Sequence, residues 1–145
     1  SDFKPVLQTG VPVTGGNERI LFVDDEKTLV DLGCQMLERL GYRVECRTSS
    51  IEALELFKSR PAQFDLVITD MTMPNLTGDR LTQKIMAIRS DIPVILCTGF
   101  SEQISEESAK ALGIREFILK PLVMDKLAAA VRAVLDRTSA GFDAN

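Results

Sequence analysis

Five times along this chain a short apolar run gives way to a longer stretch whose apolar residues recur at helical spacing, and that alternation restricts the fold more than any single motif. The first run is Ile20-Leu21-Phe22-Val23, followed by Leu29, Leu32, Met36, Leu37 and Leu40 up to a stop at Gly41. Tyr42 to Arg47 alternates more, as an edge strand does, and Ser49 and Glu52 then stand at capping-box spacing ahead of Ala53, Leu54, Leu56 and Phe57. Leu66-Val67-Ile68 runs on to Asp70, and a loop through Pro74 and Gly78 leads to a helix carrying Leu81, Ile85, Met86 and Ile88. Val94-Ile95-Leu96-Cys97 follows Pro93, and a polar segment continues to Leu112, with Gly113 as its stop. Ile114 to Leu119 is the fifth strand, and the last helix begins after Pro121 with Leu127, Val131, Val134 and Leu135 on one face.

Strands joined through helices by short connections require right-handed crossovers and a parallel sheet. Unbroken apolar runs in the first, third and fourth strands fit strands buried on both faces. The expected class is therefore α/β, a doubly wound five-stranded parallel sheet, flavodoxin-like (βα)5, with strand order 2-1-3-4-5. A chain of 145 residues supplies one such domain. Residues 1–17, with Pro5, Gly10, Pro12, Gly15 and Gly16, are expected as a linker or tail, 18–137 as the domain and 138–145 as a frayed tail.

Composition removes whole classes of function. Hydrophobic residues at 45% and charged residues at 26% exclude disorder over most of the length. There is no histidine, so Ser/His/Asp and Cys/His nucleophile systems and HExxH metal sites are ruled out together. Cys34, Cys46 and Cys97 are widely spaced and odd in number, unlike a zinc set or a disulfide framework, and a reducing cytoplasm is the expected compartment. A net charge of -4 argues against nucleic-acid binding by this domain, and no apolar run reaches membrane-span length.

In sheets of this kind ligands bind beyond the carboxyl ends of the strands, where the strand order reverses. At those ends the sequence places Asp24-Asp25-Glu26, Asp70, Thr98-Gly99 and Lys120-Pro121. Each alone has a plain structural use: a helix N-terminus for the acidic pair, a turn for Asp70, a solvated side chain for Lys120. Together on one sheet edge they call for a cation among the carboxylates. With hard oxygen ligands that cation is Mg2+, with Mn2+ or Ca2+ as substitutes. A lysine and a hydroxyl beside such a cluster suit phosphoryl transfer, with Asp70 as the nucleophile. Nucleotide binding is disfavoured, because Gly10 and Gly15 have P-loop spacing but Gly16-Asn17 follows where Lys-Ser/Thr is required. The five methionines are core or loop filler.

ILFVDDE (Ile20 to Glu26), LVITDMTMPNLTG (Leu66 to Gly78), VILCTG (Val94 to Gly99) and FILKP (Phe117 to Pro121) resemble the receiver domain of bacterial two-component response regulators, over the whole expected domain. The resemblance implies a phosphorylation switch in which a histidine kinase or phosphotransfer protein donates a phosphoryl group from its phospho-histidine to Asp70. It implies Mg2+ bound by Asp25, Asp70 and the backbone carbonyl of Thr72, and by Asp24 through water. It implies phosphoryl oxygens held by Thr98, Lys120 and the backbone amides of Thr72 and Gly99, and a cis Lys120–Pro121 bond. Thr98 and Phe117 match the family's switch pair, with an output or downstream domain reached through residues 105–137. Phe117 is also what a plain core aromatic on a strand looks like. The resemblance also implies that Thr72 and Phe100 stand at positions that tune phosphate lifetime, and a bulky Phe100 is expected to shield the acyl phosphate from water.

The Ser1 start and the Gly/Pro stretch before GNERILFVDDE resemble the join between a kinase's ATP-binding domain and a carboxy-terminal receiver in hybrid sensor histidine kinases. The alternative origin is the amino-terminal receiver of a regulator. Two functional alternatives stand beside transfer. One is a Mg-dependent phosphatase or phosphotransferase using Asp70, which needs an acid two residues on, where Thr72 stands. The other is a degenerate receiver used as a binding module, which the intact Asp24, Asp25, Asp70, Thr98 and Lys120 set disfavours.

Overall fold

The computed structural model of the chain describes residues 14–99 and 106–143. Five strands, β1 (Arg19–Val23), β2 (Arg43–Arg47), β3 (Leu66–Asp70), β4 (Val94–Thr98) and β5 (Glu116–Leu119), form one sheet in the order β2-β1-β3-β4-β5. Every neighbouring pair is parallel. The helices are α1 (Lys27–Arg39), α2 (Ser50–Ser59), α3 (Gly78–Ile88), α4 (Glu106–Leu112) and α5 (Met124–Asp143). A short 3-10 turn, Pro61–Gln63, precedes β3. The expected class and strand order are what the molecule has.

Alternate residues of the central strands feed two separate cores, as the pleat requires. Ile20, Phe22, Leu66, Ile68 and Ile95 pack with Leu37, Leu127, Val131 and Val134 from α1 and α5. Leu21, Val23, Val67, Val94 and Leu96 pack with Phe57, Leu81 and Ile85 from α2 and α3. Strand β3 is buried along its whole length, which explains its unbroken apolar run.

Local signals are realised at the helix ends. Ser49 Oγ accepts the backbone N–H of Glu52 at 3.2 Å, capping α2. Gly41 and Gly113 adopt φ of 100° and 93°, left-handed values that suit glycine where α1 and α4 stop. Helix α5 differs from the expectation by running on to Asp143, with Thr138 Oγ1 donating to the carbonyl of Val134 at 2.8 Å. Residues 14–18 are held onto the domain: Gly16 N–H donates to Leu40 O at 3.0 Å, and Arg132 of α5 makes a two-nitrogen contact with Glu18 at 3.1 and 2.8 Å.

One expectation is overturned. Cys34 of α1 and Cys46 of β2 are joined as a disulfide, with Cα atoms 6.6 Å apart. Spacing along the chain hid this, because the pairing depends on how closely α1 lies on the sheet. Gly33 permits that approach: a Cβ there would sit 2.4 Å from the Phe22 ring of β1.

Candidate functional site

Strand β1 delivers Asp24 and Asp25 just past its last residue, β3 ends on Asp70 itself, and Lys120 directly follows β5. Because the strands are parallel and in register, these ends converge. Carboxylate oxygens of Asp24, Asp25 and Asp70 lie within 4.8 Å of one another. Asp24 and Asp70 are each only 2% exposed, whereas Asp25 is open to solvent at the rim. Lys120 Nζ lies 2.6 Å from Asp70 Oδ1 and 3.3 Å from Asp24 Oδ2.

Backbone groups fix this arrangement. Asp24 donates its N–H to the carbonyl of Arg47 at the end of β2, at 3.2 Å, and its Oδ1 accepts the N–H of Glu26 at 2.9 Å. Met71 N–H donates to Cys97 O at 3.0 Å, and Lys120 N–H to Thr98 O at 2.8 Å, extending the sheet hydrogen bonding to the site. The β3–α3 loop folds back so tightly that a Cβ on Gly78 would lie 2.1 Å from the carbonyl oxygen of Asp70. The Lys120–Pro121 bond is cis, as the resemblance implied.

The electrostatics are lopsided. Burial works against the Lys120 ammonium, but the Asp70 hydrogen bond and the charges of Asp24 and Asp70 outweigh it, holding this lysine above the usual lysine range. One ammonium against three carboxylates leaves the cluster with an excess of negative charge. Three converging hard oxygen donors fit a divalent cation of the Mg2+ type. Among the described residues the cluster has no thiolate or imidazole donor that would favour a softer metal.

The remaining expected residues fall around this centre. Thr98 closes β4 and is half-buried, as is Gly99. Phe117 on β5 is in register with Leu96 and packs against the core on the α2–α3 side, while Thr98 is in register with Leu119. Thr72 is exposed on the loop after β3. Phe100 lies outside the described residues, and so does Ser105 at the start of the expected output face. Sequence reasoning overlooked two supports of the site, the Arg47 carbonyl beneath Asp24 and the packing of Gly78 on Asp70. A glycine opening a helix eight residues after an acidic strand end was the available signal for the second.

The profile of the response regulator receiver domain matches residues 20–132. The chain belongs to this family. It is 34% identical over 122 residues to a "Probable transcriptional regulator ycf27" of Guillardia theta, covering 84% of this chain and 47% of that protein. It is 29% identical over 122 residues to "Sensor kinase CckA" of Brucella abortus, covering 84% of this chain and 13% of that one. Among solved structures, a response regulator receiver domain protein from Clostridium thermocellum superposes with a TM-score of 0.80 at 32% identity, covering 85% of this chain and 98% of that chain. The receiver thus spans about half or less of the two curated relatives, and it is a receiver domain of two-component signalling, with an acidic pocket suited to phospho-acceptance.

Proposed function

We propose that Asp70 is the phospho-acceptor, receiving a phosphoryl group from the phospho-histidine of a histidine kinase or phosphotransfer protein. The observation that carries this is the convergence of the Asp24, Asp25 and Asp70 carboxylates within 4.8 Å, with Lys120 Nζ on two of them. An Asp70 oxygen attacks phosphorus, the P–N bond to the donor imidazole breaks with its electron pair going to nitrogen, and an acyl phosphate remains. Asp24, Asp25 and Asp70, with the Thr72 carbonyl, would hold Mg2+, or Mn2+ or Ca2+ in its place. Bound there, the ion neutralises charge on the phosphoryl oxygens.

Lys120 then leaves its two carboxylates in part to meet a phosphoryl oxygen, helped by the Thr98 hydroxyl and the backbone amides of Thr72 and Gly99. Drawing in Thr98 gives Phe117 room to turn inward, and the change is read on the face formed by residues 105–137. Thr72 and Phe100 set how long the acyl phosphate survives. The domain is a self-catalysed phospho-acceptor. Both a transcriptional regulator and a sensor kinase among its relatives support a longer parent chain, and the hybrid kinase is the reading we favour for it. A cytoplasmic setting follows from that role. A net charge of -4 leaves nucleic acid and membrane contacts to other domains, and among the described residues no helix is long and apolar enough to cross a membrane.

The test is incubation with Mg2+ and acetyl phosphate followed by intact mass, on the wild type and on Asp70→Asn. One added phosphoryl group that requires Mg2+ and disappears in Asp70→Asn is the expected result. A folded wild type that gains none would overturn the proposal.

A further inference from the structure

Cys34 and Cys46 lie at a joint of the domain that leads directly to the acidic pocket. Cys34 sits mid-way along α1 and Cys46 is the fourth residue of the edge strand β2, and both are half-buried, within reach of small reagents. Their 6.6 Å Cα separation is within the span that a disulfide bridges without moving the backbone. Cys46 is in register with Phe22, the ring on which Gly33 of α1 rests. The next residue, Arg47, provides the carbonyl that receives the Asp24 N–H at 3.2 Å. Arg47 also donates from its guanidinium to the carbonyl of Cys46 at 2.8 Å, tying these two residues at the end of β2 together. The third cysteine, Cys97, is buried on β4, separated from β2 by β1 and β3.

We propose that Cys34 and Cys46 form a reversible redox modification site whose state sets the affinity of the acidic pocket for its cation. With a peroxide as oxidant, one thiolate attacks oxygen, the O–O bond breaks, and a sulfenic acid and hydroxide result. The second thiol then attacks that sulfur, the S–S bond forms, the S–O bond breaks and water leaves. Two thiols and one peroxide give one disulfide and two waters, the sulfurs losing the two electrons that the peroxide gains. A small dithiol reverses the change by exchange. Closed, the bond ties the end of β2 to α1 and holds the Arg47 carbonyl under Asp24. Open, the edge strand keeps its ladder with β1, its packing on the core through Val44 and the Glu45–Arg60 pair but loses the covalent tie to α1, and Asp24 is held less firmly. In a reducing compartment the bond is then a transient signal and not a permanent staple.

The consequence for Mg2+ rests on the acceptor-pocket reading above, and the experiment separates the two. The full chain is poised with hydrogen peroxide or with dithiothreitol, and bond formation is read by thiol alkylation and mass. Mg2+ affinity is read from the Asp24 and Asp25 amide resonances, and phosphorylation by acetyl phosphate is followed in parallel. The expected result is about fivefold tighter Mg2+ binding in the oxidised form, at the low end of coupling between linked sites. Cys34→Ser and Cys46→Ser should each fix the reduced affinity whatever the oxidant. A bond that fails to form, or equal Mg2+ affinity in the two states, overturns the proposal. Absence of phosphorylation in both states, with Mg2+ affinity still redox-dependent, overturns the acceptor reading and leaves this one standing.

Discussion

Two carboxylates that are 2% exposed, Asp24 and Asp70, meet the ammonium of Lys120 at 3.3 and 2.6 Å, so this lysine is a structural counter-ion as well as the proposed ligand for phosphoryl oxygens. Removing one partner of such a group leaves buried charge uncompensated, at a typical cost of about 3 kcal/mol. Lys120→Met is expected to lose roughly that much stability at neutral pH in urea melts, and to be phosphorylated on the order of 100-fold more slowly. A variant as stable and as fast as the wild type would remove Lys120 from both roles. The pH dependence has a definite sign. Because Lys120 is held above its ordinary value of 10.5 when folded, its contribution is fully present below that pH and fades only as alkali takes the pH through the higher folded value. The stability gap between wild type and Lys120→Met should therefore narrow on the alkaline side. At this scale the convergence of Asp24, Asp25, Asp70 and Lys120 was legible in the sequence, because each lies where an apolar run stops. The Arg47 carbonyl beneath Asp24 was not, since the register of β2 on β1 has no mark in the residues themselves.

Elements meet at two junctions where small changes have predictable effects. The β3–α3 loop returns to within 2.1 Å of where a Gly78 Cβ would stand against the Asp70 carbonyl oxygen, and the neighbour is backbone, which cannot swing aside. Gly78→Ala should cost on the order of 2 kcal/mol by overpacking and slow Asp70 phosphorylation by displacing its backbone. Thermal melts and acetyl phosphate kinetics check the two effects, and an unshifted melt would show that the loop can yield. At the other end, Glu18 ties the segment before β1 to Arg132 of α5. The Arg132 hydrogen bond, set against partial burial, holds the Glu18 carboxyl below its ordinary 4.5. The pair's contribution is therefore whole above that pH and lost as acid takes the pH down through the lower folded value. Glu18→Gln is expected to cost roughly 1 kcal/mol at neutral pH, as a forked, partly exposed pair does, and almost nothing once the wild-type carboxyl is protonated. Element starts and stops were readable from capping and glycine signals, as at Ser49, Gly41 and Gly113. The extension of α5 to Asp143 was not, because Thr138 and Gly141 are weak helix formers that resemble a tail. The Cys34–Cys46 contact was equally hidden, since it depends on α1 crossing back over the sheet beside β2.

Across the whole molecule, the strand order places β1 and β3 side by side at the centre, so the two strands that end in carboxylates are neighbours by topology. The sheet interior is apolar on both faces, and the energy of those two cores holds a cluster of like charges at its edge that no local preference would assemble. This explains why the alternating pattern of apolar runs revealed the site as well as the fold: once β1 and β3 are adjacent, Asp24, Asp25 and Asp70 must be too. It also means that a cation at the cluster stabilises the entire domain, since the unfolded chain has no such juxtaposition. Mass action then gives about 1.4 kcal/mol at a Mg2+ concentration tenfold above its dissociation constant. For a chain of this size that corresponds to a rise in melting temperature of roughly 4 °C. Asp70→Asn, with one donor charge removed, should show a clearly smaller Mg2+-dependent rise. A scan of melting temperature against Mg2+, with sodium chloride matched for ionic strength, separates binding at the cluster from general screening. If sodium alone reproduces the rise, or if Asp70→Asn responds to Mg2+ as the wild type does, then the carboxylates are neighbours without being a cation site, and the phosphoryl chemistry argued from them loses its foundation.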